Sequence, residues 1–110
     1  MFKTNVASAV QIAALISSPR LFDKNGCSYV FISSIRGLLG EKGNIEYSST
    51  KSAIFGLVKS LARELASKSI RVNSITPAMV YTPMLSSILS SLPEESASEI
   101  ERKHLMGFME

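Results

Sequence analysis

A tyrosine and a lysine four residues apart, Tyr47 and Lys51, open the stretch YSSTKSAIFGLVKSLARELA. On a helix, side chains at i and i+4 leave the same face one turn from each other. An ammonium close to a phenol stabilises the phenolate and lowers its pKa from about 10 toward the working range, which makes a usable general acid and base. The spacing alone is not diagnostic, because Tyr-x-x-x-Lys arises by chance on many helices.

The elements that must position this pair are legible in the apolar pattern. Ile54, Val58, Leu61 and Leu65 recur at steps of four, three and four, so Ser48 to Ser67 reads as a helix with one apolar face, widened by Leu57 and Ala62. Gly56 in its middle costs about 1 kcal/mol relative to Ala. It either lets another backbone approach or is a tolerated defect. Before this helix, the β-branched and aromatic run Ser28 to Ile32 predicts a short buried strand, and Cys27 just ahead of it reads as a buried strand residue. After it, Ile70 to Ile75 predicts a second strand, closed by Thr76-Pro77. A helix between two strands implies parallel pairing.

Ser33 to Glu46, with Gly37, Gly40 and Gly43, reads as a loop leaving the carboxyl end of the first strand. Ligands of open α/β sheets sit at such ends, which places Ser33 and Ser34 where chemistry is expected. Upstream, Val6, Ala9, Val10, Ala13, Ala14 and Ile16 lie along one side of a helix over Thr4 to Ser17, stopped by Pro19. Downstream, Met84 to Leu92 and Glu94 to Leu105 predict two short helices divided by Pro93.

Composition narrows the function classes. In 110 residues, 45% hydrophobic and 19% charged is an ordinary globular balance. The net charge of +3 comes from scattered lysines and arginines. Scattered charge without interleaved aromatics gives no nucleic-acid footprint. Lone Cys27 and lone His104 exclude an internal disulfide framework and the common zinc spacings, and His104 reads as a surface residue. The N-terminal apolar stretch is interrupted by Asn5, Ser8 and Gln11, so it predicts neither a signal peptide nor a membrane span, and a cytoplasmic location is expected.

The segments ISSIRG (Ile32 to Gly37), YSSTKSAIFGLVKSLARELA (Tyr47 to Ala66) and IRVNSITPAMVYTPM (Ile70 to Met84) arrive in this order with short spacers. Together they resemble the short-chain dehydrogenase/reductase family, over roughly residues 5–108. The resemblance implies a doubly wound sheet that binds NAD or NADP and interconverts a small-molecule carbonyl and alcohol by hydride transfer. It implies that Tyr47 protonates the carbonyl oxygen or deprotonates the alcohol, that Lys51 bonds the nicotinamide ribose, and that Ser34 holds the substrate oxygen. Asn5 looks like the family asparagine that holds a water in the proton relay, with a capping or buried-amide role as the alternative. Pro77 to Thr82 resembles the stretch whose backbone at Val80 and hydroxyl at Thr82 bind the nicotinamide carboxamide. Ala78 stands where the family usually has glycine, which is strained only if the backbone there needs positive φ. The helix from Met84 corresponds to a lid, whose apolar residues Leu85, Ile88, Leu89 and Leu92 close on substrate or on the protein itself.

The glycine-rich turn that faces the pyrophosphate in that family has no counterpart among the six glycines, and Met106-Gly107-Phe108 breaks off where the family continues. The expectation is therefore an α/β chain forming a partial Rossmann-like, doubly wound parallel sheet without its N-terminal dinucleotide-binding half. Residues 1–110 form one partial domain, with a catalytic segment over 28–83 and lid-like helices over 84–105. Alone it is expected to be inactive. The resemblance also implies a homo-oligomer through helices 4–17 and 48–67. The alternative is a non-catalytic remnant or an interaction module of the same family.

Overall fold

The computed structural model describes residues 1–21, 23 and 25–102. His104, the end of the last expected helix and Met106 to Phe108 lie outside the described residues. Contacts divide the chain into two units, one over Met1–Pro77 and one that begins at Ala78.

In the first unit the spacing of Ile54, Val58, Leu61 and Leu65 produces the expected helix, α3 (Ile45–Leu65), with all four buried along one face. It begins three residues before the expected start at Ser48. Ile45 is exposed and so leaves no periodic signal, while Glu46 in the first turn suits the positive end of the helix dipole. Past Leu65 the chain tightens into a 3-10 turn, Ala66–Lys68, and Ser69 takes a left-handed conformation at φ 59°.

This turn delivers the chain to β2 (Ile70–Ile75), which pairs in parallel with β1 (Cys27–Ile32), Cys27 opposite Ile70 and Ile32 opposite Ile75. The period of two turns Cys27, Tyr29 and Phe31, with Ile70 and Val72, toward the core shared with α3 and with Ala9 and Ala13. On the other face Val30, Ile32 and Ile75 are 53%, 56% and 54% exposed. The strand expected to be buried is thus buried on one face only. Partial burial holds the Tyr29 phenol above its ordinary range, and the Cys27 thiol beside it adds to that shift. The result is the α/β arrangement expected of part of a Rossmann-like sheet, a parallel pair with helices packed on it.

The N-terminal helix departs from its expected form in two ways. Its first turn, Lys3–Ala7, is π-helical, and the α-helix proper is α1 (Ser8–Ile16). Its buried stripe is narrow, with only Ala9 and Ala13 fully enclosed and Val10 and Ala14 exposed. Two alanines at i and i+4 are small enough to let α1 lie close against the core, and their neighbours on either side turn out to solvent.

The segment 33–46, expected to be a loop, contains a short helix, α2 (Ile35–Leu39). Its glycines do not prevent it. Ser34 caps its start, and Gly40, at φ 72°, closes its end with its N–H on the Arg36 carbonyl at 2.8 Å. Gly37 lies where α2 meets α3. A Cβ there would fall 2.6 Å from the Lys51 carbonyl carbon and 2.7 Å from the Ser52 nitrogen. Gly56, by contrast, has nothing within 4 Å of where a Cβ would stand, so it is a tolerated defect and not a site of close approach.

In the second unit, α4 (Pro83–Ser91) and α5 (Glu94–Arg102) flank Pro93. Leu85 is buried and Ile88 largely exposed, so the expected apolar face of α4 is only partly enclosed. Among the described residues no helix is long and apolar enough to cross a membrane.

Candidate active site

The first two turns of α3 carry Tyr47 and Lys51, and the structure brings them together as their spacing requires. The Lys51 ammonium lies over the Tyr47 ring, 5.9 Å from its centroid. This is within the range of a cation–π contact. Lys51 Nζ also donates to the Ile32 carbonyl at 3.3 Å, at the carboxyl end of β1. The residue after Ile32, Ser33, donates its hydroxyl to the Lys51 carbonyl at 2.7 Å. The end of β1 therefore grips Lys51 at both its side chain and its backbone.

Ser34 follows at once and is buried, at 8% exposed. Its Oγ accepts from the Arg36 amide at 3.3 Å as the cap of α2. The hydroxyl proton is not used in that bond. Beyond the strand ends the two chain segments stay tied: Ser33 N–H donates to the Ile75 carbonyl at 2.8 Å and Ile35 N–H to the Pro77 carbonyl at 3.1 Å. Pro77 thus stands beside the strand end that holds Ser34. The turn leading to α3 is braced by Arg36 Nε and Asn44 Nδ2, both on the Glu41 carboxylate, at 2.5 Å and 3.0 Å.

Asn5 sits in the π-helical turn, a distortion that often marks functional sites. Its Nδ2 donates to Thr50 Oγ1 at 3.1 Å, and Thr50 Oγ1 donates to the Tyr47 carbonyl at 2.8 Å. The expected asparagine is thereby connected to the helix turn of the expected tyrosine. In the second unit, Thr82 caps α4, its Oγ1 accepting from the Leu85 amide at 3.2 Å, with Pro83 at the first helical position. Ala78 is unstrained. Ser69 is the only non-glycine residue at positive φ among those described.

The sequence pattern does not single out Thr50 or Gly37 as site residues. Thr50 leaves a signal all the same: it stands four residues before Ile54 and so extends the buried stripe, where a hydroxyl must find partners. Gly37 leaves none, because its role depends on a helix residue 14 positions downstream that the pattern alone does not bring near it.

The side chains present fit a nicotinamide nucleotide. An ammonium has three donors, of which Lys51 commits one to Ile32, leaving two for hydroxyl oxygens such as those of a ribose. Among the described residues no group of His, Cys, Asp or Glu is placed to hold a metal ion.

Comparison with known proteins places the chain among relatives. A family model described as short chain dehydrogenase matches residues 1–92. Nodulation protein G of Azospirillum brasilense is 30% identical over 102 residues, 93% of this chain and 41% of that protein. The 3-oxoacyl-acyl-carrier-protein reductase FabG of Chlamydia trachomatis is 35% identical over 95 residues, covering 86% of this chain and 38% of that enzyme. The oxidoreductase YhdF of Bacillus subtilis, itself uncharacterized, is 36% identical over 98 residues, 89% of this chain and 32% of its own length. The chain therefore spans about two fifths or less of the curated relatives it matches.

Proposed function

This chain belongs to the short-chain dehydrogenase family, and from that premise we propose that it carries the catalytic segment of an NAD- or NADP-dependent oxidoreductase interconverting a small-molecule carbonyl and its alcohol. The observation that carries this reading is the Lys51 ammonium over the Tyr47 ring, held there by the Ile32 carbonyl. The nicotinamide, when bound, supplies or accepts the hydride. The chain's own residues handle the proton and the geometry.

In the reducing direction the Ser34 hydroxyl donates to the substrate oxygen, and Tyr47 gives that oxygen its proton as negative charge develops there. The charge left on the Tyr47 oxygen is steadied by the Lys51 ammonium one turn along α3. Lys51 uses its remaining donors on the ribose hydroxyls, so the same ammonium places cofactor and acid. Asn5 supports the relay that returns a proton to Tyr47, and Pro77, Val80 and Thr82 receive the carboxamide. In the alcohol-oxidising direction Tyr47 is the base.

The test is Tyr47→Phe in an active enzyme containing this segment. Turnover is expected to fall by at least about 10²-fold, the scale of general acid–base catalysis, with cofactor affinity nearly unchanged. Retained turnover removes Tyr47 from the mechanism.

A second reading, a non-catalytic remnant or interaction module, is favoured by the exposed Val10, Ile12 and Leu15 on α1. A groove of about 320 Å³, lined by Val10, Ala14 and Leu57 among others, runs between α1 and α3. The same surface supports self-association of the enzyme through these two helices. The readings separate on whether the reading frame also encodes a strand followed by a glycine-rich turn ahead of this segment. Such a turn supports the enzyme, and a frame without one supports the remnant.

A further inference from the structure

We propose that Thr50 is a positioning residue that sets the orientation of the Asn5 side-chain amide and fastens the π-helical turn bearing it to the turn of α3 that bears Tyr47. Its consequence for catalysis rests on the oxidoreductase reading above; its geometry does not.

Thr50 is 0% exposed, the largest side chain in the described structure to be so fully enclosed. A hydroxyl has one proton and two lone pairs. The Tyr47 carbonyl can only accept, so the proton of Thr50 goes to it, at 2.8 Å. A lone pair is then all that Thr50 can offer Asn5, 3.1 Å away. Asn5 must answer with its N–H, and its Oδ1 is directed elsewhere. An amide is nearly symmetric in shape and opposite in polarity at its two ends, so one hydroxyl decides which end faces the site. The reversed amide would set two acceptors against each other in a buried place, with a donor left unmatched.

The same bond joins residues 45 apart in sequence, across two elements. A π-helical turn is a rare distortion of helix geometry, and such distortions persist where surrounding contacts hold them. Asn5 to Thr50 is a contact of that kind. Thr50 presents two separable features, a methyl that packs and a hydroxyl that orients. Thr50→Val removes the hydroxyl and keeps the shape, while Thr50→Ser keeps the hydroxyl and drops the methyl.

The deciding experiment follows hydrogen exchange of the Asn5 side-chain amide by NMR in the full chain, with exposed Asn25 as the internal reference. In the unmodified chain and in Thr50→Ser, Asn5 is expected to exchange at least about tenfold more slowly than Asn25, the scale of one buried hydrogen bond. In Thr50→Val that difference is expected to vanish. Protection that survives in folded Thr50→Val overturns the proposal. If the valine variant does not fold, the other two chains decide: an Asn5 amide as fast as Asn25 in the unmodified chain, or fast in Thr50→Ser, overturns it equally. In an active enzyme Thr50→Val is expected to lower kcat about tenfold with KM nearly unchanged, and Thr50→Ser to restore it. An unmodified enzyme without carbonyl or alcohol turnover sinks the oxidoreductase reading, and the exchange measurement still decides the role of Thr50.

Discussion

Lys51 makes two commitments that a helical spacing alone does not show, one to the Tyr47 ring and one to the Ile32 carbonyl. Removing its charge while keeping its stem separates it from Tyr47. In an active enzyme Lys51→Met is expected to weaken cofactor binding as well as turnover, each by at least about tenfold, because it loses hydrogen bonds to a charged donor. Tyr47→Phe is expected to change turnover alone, and fluorescence titration with NADH or NADPH distinguishes the two. Next to Tyr47, the Ser48 hydroxyl is buried with no hydrogen-bond partner among the described residues. Ser48→Ala removes an unmatched polar atom and installs a better helix former, so a stability gain of about 1 kcal/mol is expected in urea unfolding. A loss of stability would show that the hydroxyl has a partner after all.

At the scale of elements, two glycines on or against α3 have opposite meanings. Gly37 permits α2 to touch the Lys51 backbone, and a methyl there meets main-chain atoms that cannot swing aside. Gly37→Ala is expected to destabilise by about 1–3 kcal/mol, as overpacking does, and to disturb Lys51 in the same stroke. Gly56→Ala meets open space on an exposed helix face and is expected to stabilise by about 1 kcal/mol. Thermal unfolding of both variants checks the pair, and equal effects would mean that α2 does not approach α3 as closely as described. The presence of α3 and of both strands is readable in the sequence because each carries its own period, although α3 starts at Ile45 and not at Ser48. The helix α2 is not, since at five residues it is too short to show a period and its glycines look like loop. What makes it a helix is the Ser34 cap, the Gly40 end and the contact through Gly37.

For the whole molecule, the first unit has one sheet face covered and the other bearing exposed Val30, Ile32 and Ile75. Parallel sheets are ordinarily covered on both faces. The 110-residue chain tested by itself is accordingly expected to associate with rising concentration in sedimentation velocity, and charged replacements at Val30 and Ile75 are expected to reduce that association. It is also expected to show no calorimetric binding of NAD(H) or NADP(H), because its sequence holds no glycine-rich turn to receive a pyrophosphate. A micromolar dissociation constant would overturn that expectation.

Local chemistry and periodicity, written in the order of residues, determined the strands, the long helix, the Tyr47–Lys51 pair and the family resemblance. They could do so because each depends on neighbours within a turn or a strand. Only the tertiary structure decided which polar groups meet across the fold: Asn5 with Thr50, Ser33 and Ile32 with Lys51, Pro77 with Ile35. It also decided that β1 is covered on one side and that Gly37, not Gly56, is the point of close approach. These depend on distances between segments far apart in the chain, which no local pattern encodes.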